Sequence, residues 1–286
     1  MLTVSTIAEV RQHLQPVRRA GRSIGLVPTM GALHEGHVAL IRAARRDCGH
    51  VVVSVFVNPT QFGPGEDLAT YPRTLREDRQ VCESVGTDLV FAPTGDEMYR
   101  PDAVTAVTVR RLTESLCGPF RPGHFEGVTT VVAKLFNIVL PSRAYFGEKD
   151  YQQLVVVRRM VADLDWPIDI VACPTVREDD GLALSSRNRY LDPAQRRQAA
   201  SLHQAMTEAV NAVGEGTLDV ASLCDGMRRR ILAAGPARVD YIRIVDPSSL
   251  EELVEVDRPA RICLAVRIGD CRLIDNLPVD VPQVGR

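Results

Sequence analysis

Residues 23–57, SIGLVPTMGALHEGHVALIRAARRDCGHVVVSVFV, hold two apolar β-branched runs with a helical stretch between them. Ser23 to Val27 is a short strand ended by Pro28, which cannot donate to a ladder. From Gly36 to Arg46, Val38, Leu40, Ile41 and Ala44 keep the spacing of one helical face. Val51 to Val57 is a β-branched run of the kind buried on both faces of a sheet, and it stops at Asn58-Pro59. Strand, helix and buried strand in this order predict a parallel sheet with crossover helices.

The same alternation extends both ways. Upstream, Thr6 and Glu9 have capping-box spacing, and Ile7, Val10, Leu14 and Val17 recur on one helical face. Downstream, a polar, glycine-containing loop runs to about Thr70. Thr74 and Glu77 repeat the capping-box spacing before a helix, and Asp88 to Ala92 reads as a strand stopped by Pro93. Val128 to Leu140 reads as a buried helix, Arg143 to Phe146 as a strand, Tyr151 to Leu164 as an amphipathic helix and Ile168 to Ala172 as a further strand. Five or six parallel strands are expected. After Pro174, helical stretches at 194–213 and 218–234 precede strand-like runs at 238–245, 261–267 and 271–275. Helices followed by strands indicate a separate α+β unit. The expected class is α/β, a Rossmann-like doubly wound sheet over residues 1–175 with a smaller α+β lid domain over 176–286.

The 286 residues fit one large or two smaller domains at about 150 residues each. A formal net charge of −2 supplies no field for a polyanion, so a small substrate is favoured over nucleic acid or an acidic membrane. The run Arg228-Arg229-Arg230 reads as a solvated helix face. The seven cysteines lack any C-x-x-C pair and read as reduced thiols. No run reaches the roughly 20 apolar residues of a membrane span, and the start lacks the pattern of a signal peptide, so a cytoplasmic protein is expected.

Three clusters could carry chemistry. Pro28 to His37 joins the first central strand to its helix, where glycines let backbone approach a phosphate and a helix N-terminus offers unpaired N–H groups. Gly31 and Gly36 meet that demand, and His34 and His37, three apart, can donate to phosphate oxygens. The same pair could ligate a metal, but it lacks the H-E-x-x-H spacing and zinc wants three or four ligands. Either histidine could also be a satisfied packing residue. The second cluster, Gly147-Glu148-Lys149-Asp150 with Gln152 and Gln153, follows a predicted strand and offers an ammonium for phosphate charge. A capped helix start with exposed charges is the plainer reading. In the third, Leu184-Ser185-Ser186-Arg187-Asn188, two hydroxyls and a guanidinium could wrap polyphosphate, or could line a polar interdomain loop.

The runs PTMGALHEGH (28–37), VSVFVNPTQFGPGEDL (53–68), YPRT (71–74), RPGHFEGV (121–128), FGEKDYQQL (146–154) and DGLALSSRNRYL (180–191) resemble, in order and separation, the pantothenate synthetase family. The resemblance spans about residues 24 to 192, and Arg272 to Asn276 resembles the family's ending. It implies the nucleotidyltransferase superfamily shared with class I aminoacyl-tRNA synthetases, with His34-Glu35-Gly36-His37 as the H-x-G-H motif and Leu184-Ser185-Ser186-Arg187 in place of the K-M-S-K-S-like loop. It implies ATP held by Met30, Gly31, Ala32, Leu33, His34, Glu35, Gly36, His37, Gly147, Glu148, Lys149, Asp150, Val176, Leu184, Ser185, Ser186 and Arg187. Pantoate would lie against Gln61 and Gln153, with Gln61 also meeting β-alanine and Asp78 near Mg2+. His34, His37, Lys149, Ser185, Ser186 and Arg187 would carry the chemistry in a homodimer. Cys117 stands where many family members have a glutamate. Two rivals stay open at this stage: a transferase that leaves the nucleotide on its product, and a nucleotide-sensing or RNA-binding module without turnover.

Overall fold

A computed structural model of the chain describes residues 1–281. Contacts divide it into two compact units. The first comprises Met1–Thr113, Arg121–Glu148 and Gln153–Thr175, and the second Glu114–Phe120, Lys149–Gln152 and the chain from Val176 onward.

In the first unit the elements run β1 (Leu2–Val4), α1 (Ile7–Arg19), β2 (Ile24–Thr29), α2 (Glu35–Asp47), β3 (His50–Val55), α3 (Leu75–Ser84), β4 (Leu89–Phe91), α4 (Gly95–Met98), α5 (His124–Val139), β5 (Arg143–Gly147), all but the first two residues of α6 (Tyr151–Asp163), and β6 (Asp169–Cys173). The six strands form one parallel sheet in the order β1-β4-β3-β2-β5-β6. The chain winds outward from β2 through β3 to β4, then returns to place β5 on the other side of β2. The order therefore reverses between β2 and β5, and loops leaving the carboxyl ends of strands at such a point are where doubly wound sheets bind ligands. Val51, Val52 and Val53 of β3 are fully buried, as the β-branched run requires, and Ile41 and Ala44 of α2 pack on this layer.

Local chemistry explains most boundaries. Thr6 accepts from the Glu9 N–H while the Glu9 carboxylate accepts from the Thr6 N–H at 2.9 Å, so the first capping box is real. The second is not. Thr74 makes no side-chain cap and instead donates its hydroxyl to Asp78 Oδ2 at 3.3 Å. Pro28 does not end β2, which continues to Thr29. Thr29 C=O accepts from Phe56 N–H on the β3 side and Ile24 C=O from Ser142 N–H on the β5 side. Alternation thus turns Pro28 toward β5, where pairing has already stopped at Leu26↔Ala144, and its missing N–H breaks no ladder bond. β1, unread in the sequence, is three residues paired with β4.

The second unit contains α7 (Pro193–Gly214), α8 (Val220–Ala233), and an antiparallel sheet of β7 (Arg238–Val245), β8 (Ala260–Ile268) and β9 (Cys271–Val279) in sequential order. Leu202, Met206, Met227 and Ile231 of the helices form one core with Ile242, Ile262 and Leu264 of the sheet. Arg230 donates to Glu208 and Gln204 across the two helices, while Arg228 and Arg229 are exposed. Two short segments join this unit from earlier in the chain, so a single cut does not describe it. The Arg261 guanidinium stacks 4.0 Å from the Tyr151 ring centroid, and Tyr151 Oη donates to Pro247 C=O at 3.1 Å. Gln152 donates to Ser115 C=O and accepts from Cys117 N–H. Cys117 Sγ lies 3.2 Å from Tyr241 Oη and 3.6 Å from an Arg272 nitrogen, and Arg272 Nε donates to Asp240 at 2.8 Å.

Candidate active site

β2 delivers Met30 to His34 to the carboxyl edge of the first unit's sheet, and the backbone turns sharply there. Gly31 has φ +80° and Ala32 φ +50°. A side chain at Gly31 would place Cβ 3.0 Å from Asp78 Oδ2, so glycine is needed both for the left-handed backbone and for the close approach. Asp78, only 2% exposed, holds the turn from α3: Oδ1 accepts from Leu33 N–H at 2.8 Å and Oδ2 from Ala32 N–H at 3.1 Å. The sequence reading placed a metal at Asp78. Its oxygens accept from these two amides and Thr74, and among the described residues no group of three or more His, Cys, Asp or Glu side chains is placed to hold a metal ion.

His34 caps α2 rather than lying within its first turn. Its Nδ1 accepts from Gly36 N–H at 3.2 Å, and its own N–H donates to His37 Nδ1 at 3.2 Å. A neutral imidazole accepting at Nδ1 carries its proton on Nε2. The two rings, 4.1 Å between centroids, are thereby set in one tautomer by backbone amides. Glu35 follows as the first residue of α2, where a carboxylate suits the positive end of the helix.

Gln61 closes a single 3-10 turn, Pro59–Gln61, beyond β3, and is 8% exposed. Its Nε2 lies 2.9 Å from Met30 Sδ, joining the loop after β3 to the loop after β2. Asn58, which the sequence reading passed over, organises the turn. Its Nδ2 donates to Gln61 Oε1 at 3.2 Å and to Gly127 C=O at 3.1 Å, while its Oδ1 accepts from Thr60 and from Tyr99 Oη. Burial pushes the Tyr99 phenol above its ordinary pKa, against the opposing hydrogen bonds, so it remains an O–H donor. Gly127 permits this packing, since a Cβ there would sit 2.4 Å from Thr60 C=O.

The remaining expected residues fall in two places. Gly147 ends β5 at the reversal point, Glu148 follows it in a 3-10 turn, and Gln153 is half-buried in the first turn of α6. Lys149, Asp150, Val176 and Leu184 to Arg187 belong to the second unit. Within that unit β9 ties them together. Asn276 Nδ2 donates to Lys149 C=O at 2.9 Å, and the adjacent Asp275 receives both terminal nitrogens of Arg177 at 2.7 and 2.9 Å. Arg177 pairs with Ala183, and Leu184 N–H donates to Val176 C=O at 3.0 Å, so a short hairpin presents Ser185 to Arg187. Ser185 accepts from Arg187 N–H at 3.3 Å and starts the 3-10 turn Ser186–Tyr190. Lys149 Nζ is 3.5 Å from Asp150 Oδ1.

The first unit therefore offers imidazole donors at a helix N-terminus, with a buried amide on the neighbouring loop, and the second unit, by itself, an ammonium and hydroxyls tied to β9. A family model described as pantoate-beta-alanine ligase matches residues 2–278. A pantothenate synthetase of Moorella thermoacetica is 53% identical over 98% of this chain and 99% of its own length. The crystal structure of pantothenate synthetase from Thermus thermophilus superposes with a TM-score of 0.92 at 51% identity, covering 97% of this chain and 99% of that one. A pantoate-beta-alanine ligase from Francisella tularensis, crystallised with a β,γ-ATP compound and β-alanine, gives 0.81 at 35% identity over 97% of both chains. On the motifs, the sheet order and these likenesses together, the chain is an enzyme of the pantoate-beta-alanine ligase family.

Proposed function

We propose that this ligase joins pantoate to β-alanine through a pantoyl adenylate. A carboxylate oxygen of pantoate attacks the α-phosphorus of ATP, and the bond to the bridging oxygen breaks to release pyrophosphate. The β-alanine amine then attacks the acyl carbon, loses a proton, and displaces AMP as the C–O bond to the phosphate breaks. No residue needs to bond covalently to substrate. The observation that carries this reading is the His34–His37 pair, held by Gly36 and His34 amides in the tautomer that makes each Nε2 a donor, at the helix start where phosphate binds best.

ATP would meet Met30 to His37, Gly147 to Asp150, Val176 and Leu184 to Arg187. His34, His37, Lys149 and Arg187 would counter charge on the phosphates, with Ser185 and Ser186 as hydroxyl donors. His37 would pass a proton to the departing phosphate oxygen. Gln61 and Gln153 would orient pantoate, and Gln61 would also border β-alanine. Catalysis of this kind is positioning and pre-placed charge. Magnesium would enter on the ATP phosphates, keeping much of its water shell, as is usual where few protein carboxylates are offered. We place the reaction in the cytoplasm, in a homodimer. No helix among the described residues is long and apolar enough to cross a membrane.

The test is nucleotide turnover with each acceptor alone and with both. Pantoate alone should give pyrophosphate and bound adenylate, and both acceptors should give AMP and pyrophosphate in equal amounts. A product that retains the nucleotide would overturn the reading in favour of a nucleotidyltransferase.

A further inference from the structure

Gln61 is held by its main chain as well as by its side chain. Its carbonyl oxygen accepts two hydrogen bonds from the segment before and at the start of α5: Arg121 Nη2–H at 3.2 Å and His124 Nδ1–H at 2.8 Å. The two donors are themselves coupled, because His124 Nε2 lies 3.0 Å from Arg121 Nη1. Arginine has no acceptor, so Nε2 must accept and the imidazole proton must sit on Nδ1, where it reaches Gln61. The third member is Glu66, five residues beyond Gln61 on the same loop. It takes Arg121 in a bidentate pair, Nε to Oε1 at 2.7 Å and Nη2 to Oε2 at 2.6 Å, with the side chains only 14% and 24% exposed. Burial alone would raise the Glu66 carboxyl pKa. The hydrogen bonds and charge of Arg121 more than offset it, and the pKa lies below its ordinary value.

These contacts do more than close a loop. An arginine free to move would donate to the Gln61 carbonyl from many angles. One gripped along its Nε–Nη2 edge by a bidentate carboxylate, and at Nη1 by an imidazole, has a single orientation. The main chain of Gln61 is thereby fixed from one side, as Asn58 and Met30 fix its amide from the other. We propose that Glu66, Arg121 and His124 are positioning residues for the acid substrate, setting the Gln61 backbone so that its amide meets pantoate. The proposal rests on the assignment of Gln61 to pantoate made above.

The test compares steady-state constants for Gln61→Ala, Arg121→Lys, Glu66→Gln, His124→Ala and His124→Asn. Lysine keeps the charge of Arg121 but cannot make the fork, and asparagine keeps an N–H near the position of Nδ1. KM for pantoate should rise on the order of ten- to a hundredfold in Arg121→Lys and Glu66→Gln, the scale of a small misplacement of a substrate-orienting group, with KM for ATP within about twofold of the parent. His124→Ala should raise KM for pantoate and His124→Asn should restore it, which a general loss of packing would not allow. Gln61→Ala separates the two claims. If it raises KM for pantoate while Arg121→Lys and Glu66→Gln do not, the clamp is overturned and the Gln61 assignment stands. If Gln61→Ala leaves pantoate binding intact, the assignment itself fails and the clamp falls with it. Equal rises in both KM values, unrescued by asparagine, would also overturn the clamp and make Arg121 a support of the fold.

Discussion

The backbone N–H of Leu33 donates to Oδ1 of Asp78 at 2.8 Å, across 45 positions of chain. With the parallel bond from Ala32 to Oδ2, one buried carboxylate holds the turn that ends in the His34 cap. Asp78→Asn keeps the shape but turns one acceptor into a donor facing an amide. Leaving one buried N–H unmatched should cost about 1–3 kcal/mol in urea unfolding. KM for ATP should rise about tenfold, since the turn leads directly into the helix start proposed to face the phosphates. Added magnesium should not relieve the defect; relief by magnesium would restore Asp78 as a metal ligand.

Lys149→Ala tests the ammonium separately from its anchor. Asn276 holds the Lys149 carbonyl, which the substitution leaves in place. Turnover from ATP and both acceptors should fall on the order of 10² to 10³ fold, as for loss of one pre-placed donor. Stability should change by no more than about 1 kcal/mol in a thermal melt. Amide formation from supplied pantoyl adenylate should suffer less, because pyrophosphate no longer has to leave. Equal loss in both half-reactions would reassign Lys149 to general binding.

Gly127→Ala adds a single methyl group where the nearest atom, Thr60 C=O, is backbone and cannot swing aside. Such overpacking costs about 1–3 kcal/mol, and here the strain falls on the turn carrying Asn58 and Gln61. The variant should melt earlier and show a raised KM for pantoate. A normal KM in a destabilised protein would separate α5 packing from the position of Gln61.

His50, at the amino end of β3, is 5% exposed, with Asp88 Oδ2 at 3.7 Å, the His13 ring at 5.3 Å between centroids, and Arg22 and Arg45 nearby. Burial lowers its pKa; Asp88 opposes the shift, and His13 and the two arginines add to it. The folded state thus favours the neutral ring, while the unfolded chain takes up a proton near pH 6.5. Its contribution to stability is complete above that value and is lost as pH falls toward the lower folded pKa. The melting temperature should drop between pH 7 and pH 5, and His50→Phe should show a shallower drop. An unchanged slope would place the acid sensitivity elsewhere.

The central strands and helices were legible because burial on both faces leaves an apolar run, as in Val51 to Val53, and an amphipathic helix leaves a period, as in Val10, Leu14 and Val17. β1 was not, because three residues carry no period. Pro28 was read by a rule for isolated strands, whereas its tolerance depends on where β5 stops pairing. Side-chain pairing was legible where it is local, as in His34 and His37, three apart at a helix start. The sequence marks Asp78 as a carboxylate, but its hold on the Leu33 amide stays hidden because the partner is 45 positions away. Asn58, Arg121 and Asn276 act through partners far along the chain or through main-chain atoms, which no motif displays.

The bond from Asn276 to the Lys149 carbonyl spans 127 positions. During synthesis the sheet strands of the first unit leave the ribosome well before β9 exists, and nascent domains fold in order of emergence. Residues 149 and 150 must wait through that interval without their tether. If Lys149 serves the adenylate step as proposed, competence for that step would be a late event in the life of each molecule, and a chain halted before residue 276 would carry an unanchored Lys149 carbonyl.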